Sequence, residues 1–239
     1  MTRVKICGCM RVADAIAAAE AGADFIGMIF ADSRRRVDVE TAYDIARAVG
    51  APLAQVEQEA PPSAPDARTP DAWLAHGAAA LDRLLARKRP LVAGVFEDAP
   101  PEEINEIADE VGLDLVQLAG NEPWSDALVL NRLAVKVVRP AAGADAAGVL
   151  ACIEPGTAVA CMLDDSRGTG TLGDHALAAA FAARAPVWLA GGLTPGTVGA
   201  VVRHVRPWLV DVSSGVEADG AKDPAKIRAF VAAVREVTA

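Results

Sequence analysis

The chain has 239 residues, of which 52% are hydrophobic, 23% charged and only 4% aromatic, and its formal net charge is −9. That is enough chain to bury a large core as one α/β unit, with Ala, Val and Leu doing most of the packing. The acidic balance excludes nucleic acid and an anionic membrane as general partners, because both need a basic surface; a small anion needs only local donors.

Val4-Lys5-Ile6-Cys7 is a short apolar run stopped by Gly8, and is expected as a strand. Val12–Ala21 reads as an Ala-rich helix closed by Gly22, Asp24–Phe30 as a buried strand, and Thr41–Val49 as a helix ending at Gly50. The alternation breaks over residues 51–90. Ala60–Pro70 carries four prolines and must be a loop, and Asp71–Arg89 is expected as a helix with Trp73, Leu81, Leu84 and Leu85 on its apolar face. This segment is too short for a core of its own, and is expected as a surface insertion within one domain spanning 1–239.

Regularity then returns. Strands are expected at Leu91–Phe96, Leu115–Leu118, Val135–Val138, Val159–Leu163, Val187–Ala190 and Leu209–Val212. Helices are expected at Pro101–Val111, Trp124–Leu133, Asp145–Cys152, Asp174–Arg184, Pro195–His204 and Pro224–Val237. Eight strands, each followed by a helix, predict an α/β fold of the (β/α)₈ barrel type, since eight such units close and abolish free edges. The loop-helix insertion falls between the second and third strands.

No secretory signal opens the chain and no apolar run reaches 18 residues, so a cytoplasmic location with free thiols is expected. Cys7-Gly8-Cys9 has the wrong spacing for a metal or redox pair, and no His or Cys cluster completes a zinc site, so no metal is expected.

A barrel active site lies at the C-terminal ends of the strands. That rule selects Cys7, the loop Asp32–Arg36, Gln117, Arg139, Asp164 with Asp165, Gly191 and Gly192, and Asp211–Ser214. Glycines in Ala190-Gly191-Gly192-Leu193-Thr194 and the run Ser213-Ser214-Gly215 let backbone N–H groups approach an anion. They follow strands seven and eight, the pair of loops that commonly holds phosphate in barrels. Gly168-Thr169-Gly170-Thr171 is a further flexible wall or lid. A thiol at Cys7 serves as a base if nearby positive charge depresses its pKa. Cys9 is a weaker competitor, and Cys152 and Cys161 fit buried structural positions better. Asp164 is the matching acid if an apolar setting raises its pKa. Among Arg34, Arg35 and Arg36, one guanidinium is placed to grip a carboxylate. His76, His175 and His204 read as helix positions without a role. A thiol and a carboxyl facing one another over a phosphate-anchored ligand point to proton shuffling, an isomerisation.

These residues resemble phosphoribosylanthranilate isomerase, the tryptophan-pathway barrel. The resemblance runs through Val4–Gly8, Ala21–Phe30, Ser33-x-Arg35, Gly94–Phe96, Val116–Leu118, Leu163-Asp164, Ala190–Leu193, Val210–Glu217 and Lys222-Asp223, nearly the whole chain apart from 51–90. It implies an Amadori rearrangement without a cofactor, on a small phosphosugar, by a monomer or homodimer. It also implies that Cys7 is the general base, Asp164 the general acid and Arg35 the substrate-orienting arginine. Gln117, Arg139, Gly191, Gly192, Asp211, Ser213 and Ser214 are the expected substrate contacts. Departures stand at Ala119, where the family usually has His, at Cys9-Met10, and at 168–171, which lacks the usual lysine. They leave open a paralogue acting on a different phosphorylated aminosugar, and more remotely a non-catalytic scaffold.

Overall fold

The computed structural model describes residues 1–53, 66–164 and 175–238. Eight parallel strands close into a barrel in chain order: β1 (Arg3–Cys7), β2 (Phe25–Ile29), β3 (Leu91–Phe96), β4 (Leu115–Leu118), β5 (Leu133–Val138), β6 (Ala160–Asp164), β7 (Trp188–Ala190) and β8 (Leu209–Val212). The ring is sealed where β8 pairs with β1, with Lys5 opposite Asp211 and Ile6 opposite Val212.

Around the strands lie α1 (Val12–Glu20), α2 (Val39–Ala48), α3 (Pro70–Arg87), α4 (Pro101–Val111), α5 (Ala146–Ala151), α6 (His175–Ala182), α7 (Val198–Val205) and α8 (Pro224–Thr238). A short hairpin, β9 (Glu217–Ala218) with β10 (Ala221–Lys222), precedes α8. None of the described helices is long and apolar enough to cross a membrane.

Alternation along the strands creates two cores. Val4, Ile6, Ile26, Met28, Val92, Val116, Val210 and Val212 point outward and pack beneath the helices. Phe25, Leu91, Leu115, Leu133, Ala160, Trp188 and Leu209, the first residues of β2 to β8, point inward and fill the barrel at its N-terminal end. Phe25 packs on Trp188 at 5.0 Å between ring centroids, and Trp188 stacks on Trp208 at 5.9 Å.

Two expectations need correction. Residues 70–87 do not form a surface excursion. α3 buries Trp73, Leu74, Ala78, Leu81, Leu84 and Leu85, and Leu81, Leu84 and Leu85 join the inward cluster at the strand N-termini. The helix therefore covers the N-terminal mouth of the barrel. Trp73 donates its indole N–H to the Ala158 carbonyl at 2.8 Å, and Arg3 reaches Asp82 at 2.7 Å. Gly77 permits the contact, because a Cβ there would lie 1.9 Å from the Val159 carbonyl oxygen.

The second correction concerns 124–133, expected as a helix. Only Trp124–Leu128 coils, as a 3₁₀ turn, and β5 already begins at Leu133. Ala127–Leu130 are four consecutive apolar residues, which would spread round a helix rather than lie on one face; Leu128 and Val129 stay 64% and 62% exposed. Side chains hold the connection instead, with Arg132 donating to the Leu113 carbonyl at 2.6 Å and Asn105 accepting from the Asn131 N–H at 2.9 Å.

Candidate active site

The inward parity that is apolar at the strand starts becomes polar at their C-terminal ends. There Cys7, Gln117, Arg139, Asp164, Asp211 and Ser213 open on one cavity of about 530 Å³. Arg35, Gly191, Gly192 and Ser214 line it too, so the ten residues expected to act on or contact the substrate all border this cavity. The volume suits a small ligand.

Cys7 closes β1 and is 6% exposed. Its neighbour in register on β2 is Gly27, where a Cβ would stand 2.9 Å from the sulfur. Two residues back, Lys5 shares the inward parity and is wholly buried, with its Nζ 3.2 Å from Asp211 Oδ1. The expectation of a thiol depressed towards neutrality is corrected by this setting. Burial raises the Cys7 pKa, Lys5 pulls it back, and Asp211 raises it again. Cys9 sits outside the cavity, its Sγ 3.8 Å from the Ile6 carbonyl, and burial pushes its thiol up to about 12. Cys161 is likewise buried and pushed up to about 12. Cys152, expected inside, is exposed at the end of α5.

Asp164 ends β6, three strands from β1 around the ring, and lines the same cavity. Asp165 and the 168–171 loop lie outside the described residues.

The arginine loop resolves itself. Arg36 turns to a neighbouring groove beside Asp38, and Arg34 is largely exposed. Arg35 alone of the three lines the cavity. Its Nε donates to Glu217 Oε1 at 2.6 Å and its Nη2 to Oε2 at 3.2 Å, while Arg34 Nη2 donates to Oε2 at 2.6 Å. Burial would raise the Glu217 pKa, but Arg35, Lys222 and Arg34 hold it down at about 2. Glu217 thus fixes one edge of the Arg35 guanidinium and leaves its remaining donors for a ligand.

Gln117 is buried on β4, and its Oε1 has no hydrogen-bond partner among the described residues. Such an acceptor is costly unless a ligand donor meets it. Arg139 Nη1 donates to the Ala119 carbonyl at 2.6 Å, so a guanidinium stands beside the position where the family usually has His.

The two glycine loops meet. Gly191 and Gly192 have φ of 103° and 61°, in the left-handed region. Gly215 is pressed against the other loop, since a Cβ there would sit 1.9 Å from the Leu193 carbonyl oxygen. Beneath them, buried Lys222 donates to the Ser213 carbonyl at 2.9 Å, contacts its Oγ at 3.3 Å and reaches Glu217 at 3.0 Å. The glycine and serine loops after β7 and β8 thus lie together over a buried ammonium. Sequence reasoning missed Lys5, Lys222 and Glu217 as site residues. For Lys5 the signal was present: it has the same strand parity as Cys7.

The family model for N-(5'phosphoribosyl)anthranilate (PRA) isomerase matches residues 66–233. An N-(5'-phosphoribosyl)anthranilate isomerase of Roseiflexus sp. is 40% identical over 241 residues, covering 98% of this chain and 98% of that one. The crystal structure of phosphoribosyl anthranilate isomerase from Thermus thermophilus superposes with a TM-score of 0.75 at 30% identity, covering 99% of this chain and all of the other. Another phosphoribosyl anthranilate isomerase, solved in complex with reduced 1-(o-carboxyphenylamino)-1-deoxyribulose 5-phosphate, gives 0.70 at 28% identity over 99% of this chain and all of that one. With a matched model over more than half its length and relatives covered end to end, the chain belongs to the N-(5'-phosphoribosyl)anthranilate isomerase family.

Proposed function

We propose that this protein converts N-(5'-phosphoribosyl)anthranilate to its 1-amino-1-deoxyketose by an Amadori rearrangement, a step of tryptophan biosynthesis. One observation carries the reading: a thiol on β1 and a carboxyl on β6 line a single cavity whose rim is the glycine and serine loops after β7 and β8. The ligand bound by the structural relative is itself a phosphosugar bearing a carboxyphenylamino group.

In this reading the phosphate sits at Gly191, Gly192, Ser213 and Ser214, over the Lys222 ammonium. Arg35, steadied by Glu217, takes the anthranilate carboxylate on its free donors. Asp164 delivers a proton to the ribose ring oxygen, the C1′–O bond breaks, and the sugar opens to a protonated Schiff base. The Cys7 thiolate removes the proton on C2′, which yields an enolamine that tautomerises to the ketone. Gln117 Oε1 accepts from a sugar hydroxyl. Every step is a proton transfer or a bond reorganisation within the substrate, so the chemistry calls for no redox cofactor. Each positioned proton transfer contributes about 10²–10⁴-fold.

The test is growth. Expressed in a tryptophan auxotroph that lacks only this isomerase, the chain should restore growth without tryptophan. A folded, abundant protein that fails to do so would direct the same site towards a different aminosugar.

A further inference from the structure

Among the described residues, the inside of the barrel holds an ion pair that the mechanism above does not use. Lys5 is wholly buried, and its partner Asp211 is 8% exposed. They face each other across the seam where β8 meets β1, with Nζ and Oδ1 3.2 Å apart. Stability alone is a poor reason for such a pair. Removing two charges from water costs several kcal/mol per ion, and apolar residues of similar size often serve as well or better. The rest of the barrel interior at the N-terminal end is packed in that apolar way, with Phe25, Leu91, Leu115, Leu133 and Trp188.

The surroundings suggest another use. A single methyl group placed on Gly27 would lie 2.9 Å from Cys7 Sγ and 3.0 Å from Lys5 Nζ. The strand next to the thiol therefore lacks a side chain where sulfur and ammonium come together. Lys5 Nζ is hydrogen-bonded to Asp211, and its charge acts on the Cys7 sulfur across the space that Gly27 leaves open. Other groups face the sulfur from further off: Lys222 on the hairpin after β8 and Cys9 along the chain. Asp164 on β6 faces Asp211. Gly27 leaves β2 with no charged group in contact.

We infer that Lys5 is a positioning residue for the isomerisation, its ammonium carrying the counter-charge of the Cys7 thiolate while Asp211 holds that ammonium in place. The inference rests on the reading of Cys7 as the base. Lys5 stays protonated throughout. Before the transfer its charge offsets that of the thiolate. When sulfur takes the proton from C2′ it becomes a neutral thiol, and the ammonium's charge is then balanced by Asp211 alone. No proton is gained or lost by Lys5, so the charge beneath the substrate is constant while the one on sulfur comes and goes.

The experiment reads sulfur ionisation directly. The pH dependence of iodoacetamide alkylation at Cys7 is followed by peptide mass spectrometry, which separates it from exposed Cys152, in the wild type and in Lys5→Met, Lys5→Arg and Asp211→Asn. Lys5→Met should alkylate at least about tenfold more slowly at neutral pH, with its midpoint moved upward, because a nearby opposite charge is worth that much to an ionised group. Lys5→Arg should recover part of the loss. Asp211→Asn should move the midpoint downward, because the ammonium then serves the sulfur alone. The pH profile of kcat/KM should follow in each variant. A folded Lys5→Met with an unmoved alkylation midpoint overturns the inference. If Lys5→Met does not fold, an Asp211→Asn midpoint that stays put or rises overturns it. The base assignment fails differently, through a Cys7→Ser variant that keeps full turnover, whatever alkylation shows.

Discussion

Gly215 gives the sharpest prediction about the proposed phosphate site. In Gly215→Ala the new Cβ would start 1.9 Å from the Leu193 carbonyl oxygen and 2.9 Å from its carbon. Both are backbone atoms, so no rotamer change relieves the clash. A carbon and a carbonyl oxygen rest at about 3.3 Å or more, so the loops after β7 and β8 must part by about 1.4 Å. That displacement exceeds the tolerance of a hydrogen bond. If one charge-assisted contact to the phosphate is lost, about 1.5–3 kcal/mol of binding goes with it, or roughly 10- to 150-fold. Cys7, on β1, and Asp164, on β6, stay where they are. The assay is steady-state fluorescence decay of phosphoribosylanthranilate, with KM and kcat separated. KM should rise by at least tenfold with a smaller change in kcat. A KM equal to wild type, in a variant of unchanged melting temperature, would refute the placement of phosphate between these loops.

Other outcomes follow from the same geometry. Glu217 is held at about 2 against an ordinary 4.5, so its pairing stabilises the fold above pH 4.5 and is lost as pH falls towards 2. That contribution is at most about 3 kcal/mol, and thermal melts of Glu217→Gln should lose the corresponding pH dependence in this window. The same variant should raise KM for the carboxylate-bearing substrate, because Arg35 loses its brace. Gly77→Ala should destabilise by about 1–3 kcal/mol in chemical denaturation despite the better helix propensity of Ala, because α3 is pressed on Val159; a more stable variant would mean α3 does not seal the barrel. Cys9→Ala should retain wild-type turnover, since its sulfur lies outside the cavity; loss of turnover in a folded variant would make it the base.

How much of this was legible depended on the kind of signal. Polar residues that end apolar runs, such as Cys7 and Asp164, announce themselves because every strand C-terminus in a closed parallel barrel faces the same cavity. Lys5 did not, because a lysine inside an apolar tetrapeptide looks like the solvent side of a strand, and a barrel wrapped in helices has no solvent side. The apolar stripe of α3 was plain, but a stripe does not say what it covers. Glu217 and Lys222 come together through the β9–β10 turn, and nothing in their spacing marks that they meet Arg35 and Ser213, which approach from other parts of the chain. The 124–133 error arose where consecutive apolar residues imitated a helix that the next strand leaves no room to form.

The most direct test of the whole account is a single-turnover experiment. Excess purified protein is mixed with freshly made phosphoribosylanthranilate, and the fluorescence decay is compared for the wild type, Cys7→Ser and Asp164→Asn. The account expects rapid decay for the wild type and a loss of at least about 10²-fold in each folded variant. Decay in the wild type no faster than in buffer, or undiminished decay in both variants, would contradict it.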